Sequence, residues 1–163
     1  MGLVSCVVRR ARRSCGHTVG ACGFGASRAT RTNEFLTLPE DIRLTDDLAE
    51  AVRAAEIVII SIHAQALRSF LHDLCACGLG GTMAEKTIIL CMKGLEIGTG
   101  KRLSTVVHEE LGDDVHPVVW VGPGHEQDFV RGIPNCMVLA GEDRDALQGL
   151  GDALGSPLIR FYY

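Results

Sequence analysis

Long apolar runs are absent from this 163-residue chain. The longest, such as Ile57 to Ile60, fall far short of the roughly 20 residues that cross a bilayer, which excludes a membrane span. Metal-ligand spacings are absent too. The seven cysteines (6, 15, 22, 75, 77, 91, 136) contain no C-x-x-C pair, and their odd number fits a reducing cytosol better than a disulfide framework. The six histidines (17, 63, 72, 108, 116, 125) form neither H-x-x-x-H nor H-E-x-x-H, so no metal site is expected. Acids are missing from residues 1–33, which carry six arginines, while the remainder holds all 20 Asp and Glu. An acidic body has no footprint for a nucleic-acid backbone, which requires clustered Lys and Arg. The basic start shares its composition with mitochondrial transit peptides. Leu3 to Val8 is too short for a secretory h-region, and Cys6 stands where myristoylation requires Ser or Thr. The dinucleotide fingerprint G-x-G-x-x-G is also absent. Gly20-Ala21-Cys22-Gly23-Phe24-Gly25 has glycines at other offsets, Arg28 falls where the pattern from Gly23 needs Gly or Ala, and Val19 belongs to no convincing strand.

What is present is a chain with 47% hydrophobic residues, enough to bury a core. From Leu38 onward two periodicities alternate. Asp46–Ala55 reads as a short helix with Leu48, Val52 and Ala55 at i, i+4, i+7 behind Thr45, Asp46 and Asp47 as caps. Glu56–Ile62 is a β-branched run that fits a strand buried on both faces. Ala64–Cys77 is helical and ends at Gly78-Leu79-Gly80-Gly81; Lys86–Met92 is the next buried strand. Helix 101–111, strand Pro117–Val121, strand Asn135–Ala140, helix Asp143–Leu154 and strand Leu158–Tyr162 follow. Strands separated by helices of this length imply βαβ units, hence an α/β fold with a mostly parallel sheet and flanking helices.

In such a sheet ligands bind at the carboxyl ends of the strands. Those ends carry Ile62-His63-Ala64, Lys93-Gly94-Leu95-Glu96 and Gly122-Pro123-Gly124-His125. Glycines admit a ligand close to the backbone, a lysine meets a phosphate as a point charge, and helix N-termini favour anions, so an anionic, nucleotide-like ligand is expected. Ser104 and Thr105 have no fitting base nearby in sequence and offer no hydroxyl nucleophile.

The series Lys93-Gly94-Leu95-Glu96, Val121-Gly122-Pro123-Gly124-His125, Gly132-Ile133-Pro134 and Arg160-Phe161-Tyr162, with Leu38-Pro39 and Thr45-x-Asp47-Leu48-x-Glu50-Ala51 before it, resembles the bacterial-type NAD(P)-dependent glycerol-3-phosphate dehydrogenases. The resemblance covers residues 38–163. It implies a Rossmann-like cofactor domain, incomplete at its N-terminus, and NAD or NADP as cofactor. The implied reaction is hydride exchange between dihydroxyacetone phosphate and sn-glycerol 3-phosphate in cytoplasmic glycerophospholipid metabolism. By position, Lys93 matches the family lysine that contacts cofactor and substrate. Gly122 and Gly124 match substrate-approaching positions, and Glu126 and His63 fall at cofactor-contact positions. Departures are Ile62-His63-Ala64 for V-P-S, Gly124 for serine, and Glu126 for alanine, which adds a carboxylate where phosphates approach.

The family's helical substrate domain, with its general-base lysine, is expected to lie outside this chain, leaving no catalytic group here and little or no turnover by the chain alone. Residues 1–37 read as an atypical Arg-, Cys- and Gly-rich segment, expected to be poorly ordered, with the composition of a mis-started or frame-shifted stretch. An incomplete sheet leaves an unpaired edge and favours self-association. The competing reading is a non-catalytic α/β module that binds a nucleotide or a partner.

Overall fold

The computed structural model describes residues 4–9, 18–22, 31, 32, 37, 40, 43–45, 47–124 and 126–163. Leu38, Pro39, His125 and the glycines at 23 and 25 lie outside the described residues. Among the described residues, eight strands form one sheet in the order β3-β2-β1-β4-β5-β6-β7-β8. They are β1 (Val4–Arg9), β2 (Thr18–Cys22), β3 (Arg43–Thr45), β4 (Ile57–Ser61), β5 (Thr87–Leu90), β6 (Val118–Val121), β7 (Asn135–Ala140) and β8 (Ile159–Tyr162). The helices are α1 (Leu48–Arg53), α2 (Leu67–Ala76), α3 (Leu103–Leu111), α4 (Glu126–Val130) and α5 (Arg144–Leu154).

The central strands β4, β5 and β6 run parallel, with Ile59 opposite Ile89 and Ile89 opposite Val118. The pairs β2–β3 and β7–β8 are also parallel. Two features depart from a uniformly parallel sheet. β6 and β7 are antiparallel, Trp120 facing Leu139. β1 is antiparallel to both β2 and β4, so Ser5 lies opposite Ser61 and Arg9 opposite Ile57. Thr18–Cys22, including Val19, is a strand although its sequence does not announce one. Only eight residues separate β1 from β2, and an antiparallel pair needs no long crossover between its strands.

Sequence pattern explains the central layers. β4 is buried at Ile57, Val58, Ile59 and Ile60, and β5 at Ile88, Ile89 and Leu90, because helices cover both faces. On one face Val58, Ile60, Ile88 and Leu90 meet α1, α2 and α3. α2 presents Leu67, Phe70, Leu71 and Leu74, a helical stripe, and each fully buried Leu contributes roughly 1.5–3 kcal/mol. On the other face Ile57, Ile59, Ile89, Met137, Leu139 and Phe161 meet Leu147 and Leu150 of α5. Asp47 caps α1 through the Glu50 amide at 2.9 Å, and Asp143 caps α5 through the amides of Asp145 and Ala146. α2 stops at Gly78, whose φ of +72° permits the Leu79 amide to reach back to the Leu74 carbonyl at 3.0 Å.

Candidate functional site

The parallel direction of β4, β5 and β6 brings three connecting loops to one edge of the sheet. The β4 loop carries exposed His63, whose carbonyl accepts from the Ala66 amide at 2.9 Å and opens a 3-10 turn, Ala64–Ala66, that runs into α2. The β5 loop begins with half-buried Cys91, whose thiol burial pushes up to about 11, and buried Met92; exposed Lys93 and Gly94 follow. The β6 loop is Gly122-Pro123-Gly124, leading to α4.

Lys93 joins two of these loops. Its Nζ donates to the Gly122 carbonyl at 3.3 Å. The residue stands on the wall of a depression of about 410 Å³, lined also by Leu90, Met92, Gly94, Val119 and Val121 and by Arg102 to Ser104 at the start of α3. Gly94 has φ of +116°, a conformation only glycine adopts without strain. Its missing Cβ leaves the turn open, the nearest atom being the Ala64 Cβ at 4.0 Å. An apolar floor with an ammonium at the rim and an open backbone suits a planar ring whose molecule also carries a phosphate.

Gly122 and Gly124 have a further, internal reason to be glycine. A Cβ on Gly122 would lie 3.1 Å from the Cys136 carbonyl oxygen and meet the Met137 side chain; one on Gly124 would lie 2.8 Å from the Phe129 ring. The β6 loop and β7 thus pack backbone to side chain. Glu126 opens α4, placing its backbone beyond the same strand end. Of the five site residues expected from sequence, Lys93, His63, Gly122 and Gly124 lie in the three loops at this edge, and Glu126 is the first residue of the helix that follows the third.

Sequence reading passed over Gln65 and Arg68. The Gln65 side-chain amide donates to the Leu95 carbonyl and accepts from the Ile97 amide, both at 2.8 Å. Arg68, in the first turn of α2, forks onto Glu96 at 2.7 and 2.9 Å and reaches Glu110 at 2.6 Å and Glu109 at 2.8 Å on α3. Lys101 pairs with Glu109 as well. Hydrogen bonds from Arg68 and then from the Thr99 hydroxyl hold the Glu96 carboxyl down to about 2. Those from Lys101 and then Arg68 lower that of Glu109. The contacts join separate elements, so no local spacing signals them.

A second depression, about 430 Å³, lies at the opposite edge, beside Lys86, Asp114, His116, Glu142 and Asp143. Size does not separate the two; the strand ends do. No group of three or more potential metal ligands occurs among the described residues. No helix among them is long and apolar enough to cross a membrane.

Comparison with known proteins bears on the family and the fold. Residues 27–147 match the family model described as the NAD-dependent glycerol-3-phosphate dehydrogenase N-terminus. A curated glycerol-3-phosphate dehydrogenase [NAD(P)+] of Thermoanaerobacter sp. is 37% identical over 127 residues, 77% of this chain and 36% of that protein. One from Brucella ovis is 36% identical over 130 residues, 78% of this chain and 37% of its own length. The chain thus spans a little over a third of these relatives. A solved glycerol-3-phosphate dehydrogenase from Coxiella burnetii superimposes with a TM-score of 0.71 at 22% identity, covering 85% of this chain and 42% of that one. One from Dunaliella salina gives 0.73 at 21%, covering 85% and 24%. These likenesses establish a Rossmann-like α/β fold, and the family model, matching most of the chain, shows that it belongs to the N-terminal-domain family of the NAD-dependent glycerol-3-phosphate dehydrogenases.

Proposed function

We propose that the chain is the cofactor-binding part of an NAD(P)-dependent glycerol-3-phosphate dehydrogenase, acting in hydride exchange between dihydroxyacetone phosphate and sn-glycerol 3-phosphate. When bound, the nicotinamide supplies or takes up the hydride. The protein's task at this edge is to hold and orient. Lys93 offers its ammonium to cofactor and substrate oxygens. Gly122 and Gly124 let the substrate approach the backbone, and His63 and the start of α4 at Glu126 flank the cofactor. No residue of this chain is assigned the proton transfer. The reading extends to a cytoplasmic location, a role in glycerophospholipid synthesis and self-association.

The observation that carries the reading is the family match together with the Lys93–Gly122 contact, which ties the β5 and β6 loops beside an open, apolar-floored depression. Fluorescence titration with NADH and NADPH tests it. The expected result is saturable micromolar binding of one or both by the wild-type chain. Lys93→Ala should weaken it by about ten-fold or more, the usual consequence of losing a charge-assisted hydrogen bond. Binding that ignores Lys93→Ala, or none up to millimolar nucleotide, would refute the proposal.

A further inference from the structure

The loop from Lys93 to Arg102 is poorly anchored by apolar contact. Leu95 and Ile97 are 53% and 81% exposed, and Gly94, Gly98 and Gly100 all adopt positive φ. A segment so free of buried surface and so rich in glycine has little intrinsic preference for one conformation. Yet it carries Lys93, a point charge on a flexible stem whose reach depends on where its Cα is held.

Polar groups from the preceding crossover supply the missing anchor. Gln65 grips the loop on both sides of Glu96 through the Leu95 carbonyl and the Ile97 amide. Arg68 takes the Glu96 carboxylate in a two-pronged contact, while Glu109 and Glu110 fix the guanidinium from α3. Within the loop, the Glu96 amide donates to the Lys101 carbonyl and the Gly100 amide to the Glu96 carbonyl, both at 2.9 Å. Three consecutive residues, 95 to 97, are therefore held from outside, two positions beyond Lys93.

We propose that Gln65 and Arg68 are positioning residues that hold the β5 loop in the conformation bringing the Lys93 ammonium to the Gly122 carbonyl. The proposal rests on the reading of Lys93 as a cofactor contact. Neither residue touches the depression; both act through the loop. The bidentate fork is the feature a lysine cannot reproduce, so charge alone does not suffice.

Two readouts on the 163-residue chain test this. In amide hydrogen exchange, Arg68→Gln and Gln65→Ala accelerate exchange at Glu96, Ile97 and Gly100 by about ten-fold or more, with Ile89 and Leu90 of β5 unchanged as the control for folding. In NADH titrations, each variant raises Kd about five-fold or more and Arg68→Lys restores only part of the loss. Arg68→Gln added to Lys93→Ala costs less than about two-fold further, because its effect runs through Lys93. Unchanged exchange at those three amides, or full additivity with Lys93→Ala, overturns the proposal. Should the wild-type chain bind neither NADH nor NADPH, the cofactor reading fails by itself. The positioning claim is then decided by exchange and by acylation of Lys93 with an N-hydroxysuccinimide ester: a changed rate in Arg68→Gln supports it, and an unchanged rate overturns it.

Discussion

Met137 of β7 lies against both glycines of the β6 loop, and at Gly122 the obstruction includes backbone atoms of β7 that cannot turn aside as a side chain can. Gly122→Ala should therefore destabilise the fold by about 1–3 kcal/mol, the usual cost of overpacking, read as a lowered urea midpoint. At residue scale the strand-end positions were legible: the patterned strands place Lys93 and the two glycines in the loops that follow them. It was opaque at Gln65 and Arg68, whose partners lie about thirty and forty residues along the chain and on other elements. Cys136 is instructive in the same way. Its apolar neighbours suggest a buried hydrophobe, but strand alternation buries Met137 and Leu139 and leaves Cys136 exposed.

Between elements, the Arg68 cluster ties α2, the β5 loop and α3 together, and its energetics depend on carboxylates staying ionised. Glu96 has its pKa lowered from 4.5 to about 2, and Glu109 is lowered in the same direction. A depressed folded-state pKa means that the unfolded chain binds more protons at acid pH. The stabilisation is thus complete above about pH 4.5 and is lost as pH falls toward 2. Urea midpoints measured between pH 5.5 and 3 should fall more steeply for wild type than for Arg68→Gln, which has already lost the pairing; parallel profiles would show that the cluster does not couple to folding. The elements themselves were largely legible. α1, α2, α3, α5 and strands β4 to β8 follow from stripes, β-branched runs and caps, with ends displaced by one to three residues, the largest shift being at the 3-10 turn Ala64–Ala66 before α2. Short elements escaped: α4 has five residues, β3 three, and the stretch after Gly78 forms a 3-10 segment, Gly80–Glu85, that buries Met83 instead of a plain breaker. None is long enough to display a period.

Across the whole molecule, parallel strands gather their carboxyl ends on one edge, and the family resemblance and the sheet topology agree on which edge that is. What sequence did not foretell is strand direction at the two sides of the sheet. The reversal of β1, and the turn from β6 into antiparallel β7, are long-range pairing choices without a local signature. If Lys93 contacts the cofactor, the functional edge is the one bearing His63, Lys93 and Gly122, not the similarly sized depression beside Lys86, His116 and Glu142. An amide hydrogen-exchange footprint of NADH or NADPH on the full chain tests it most directly. Protection is expected at residues 62–66, 92–97 and 122–124. Protection at 84–87, 114–116 and 141–146 instead, or at neither edge in the presence of measurable binding, would contradict it.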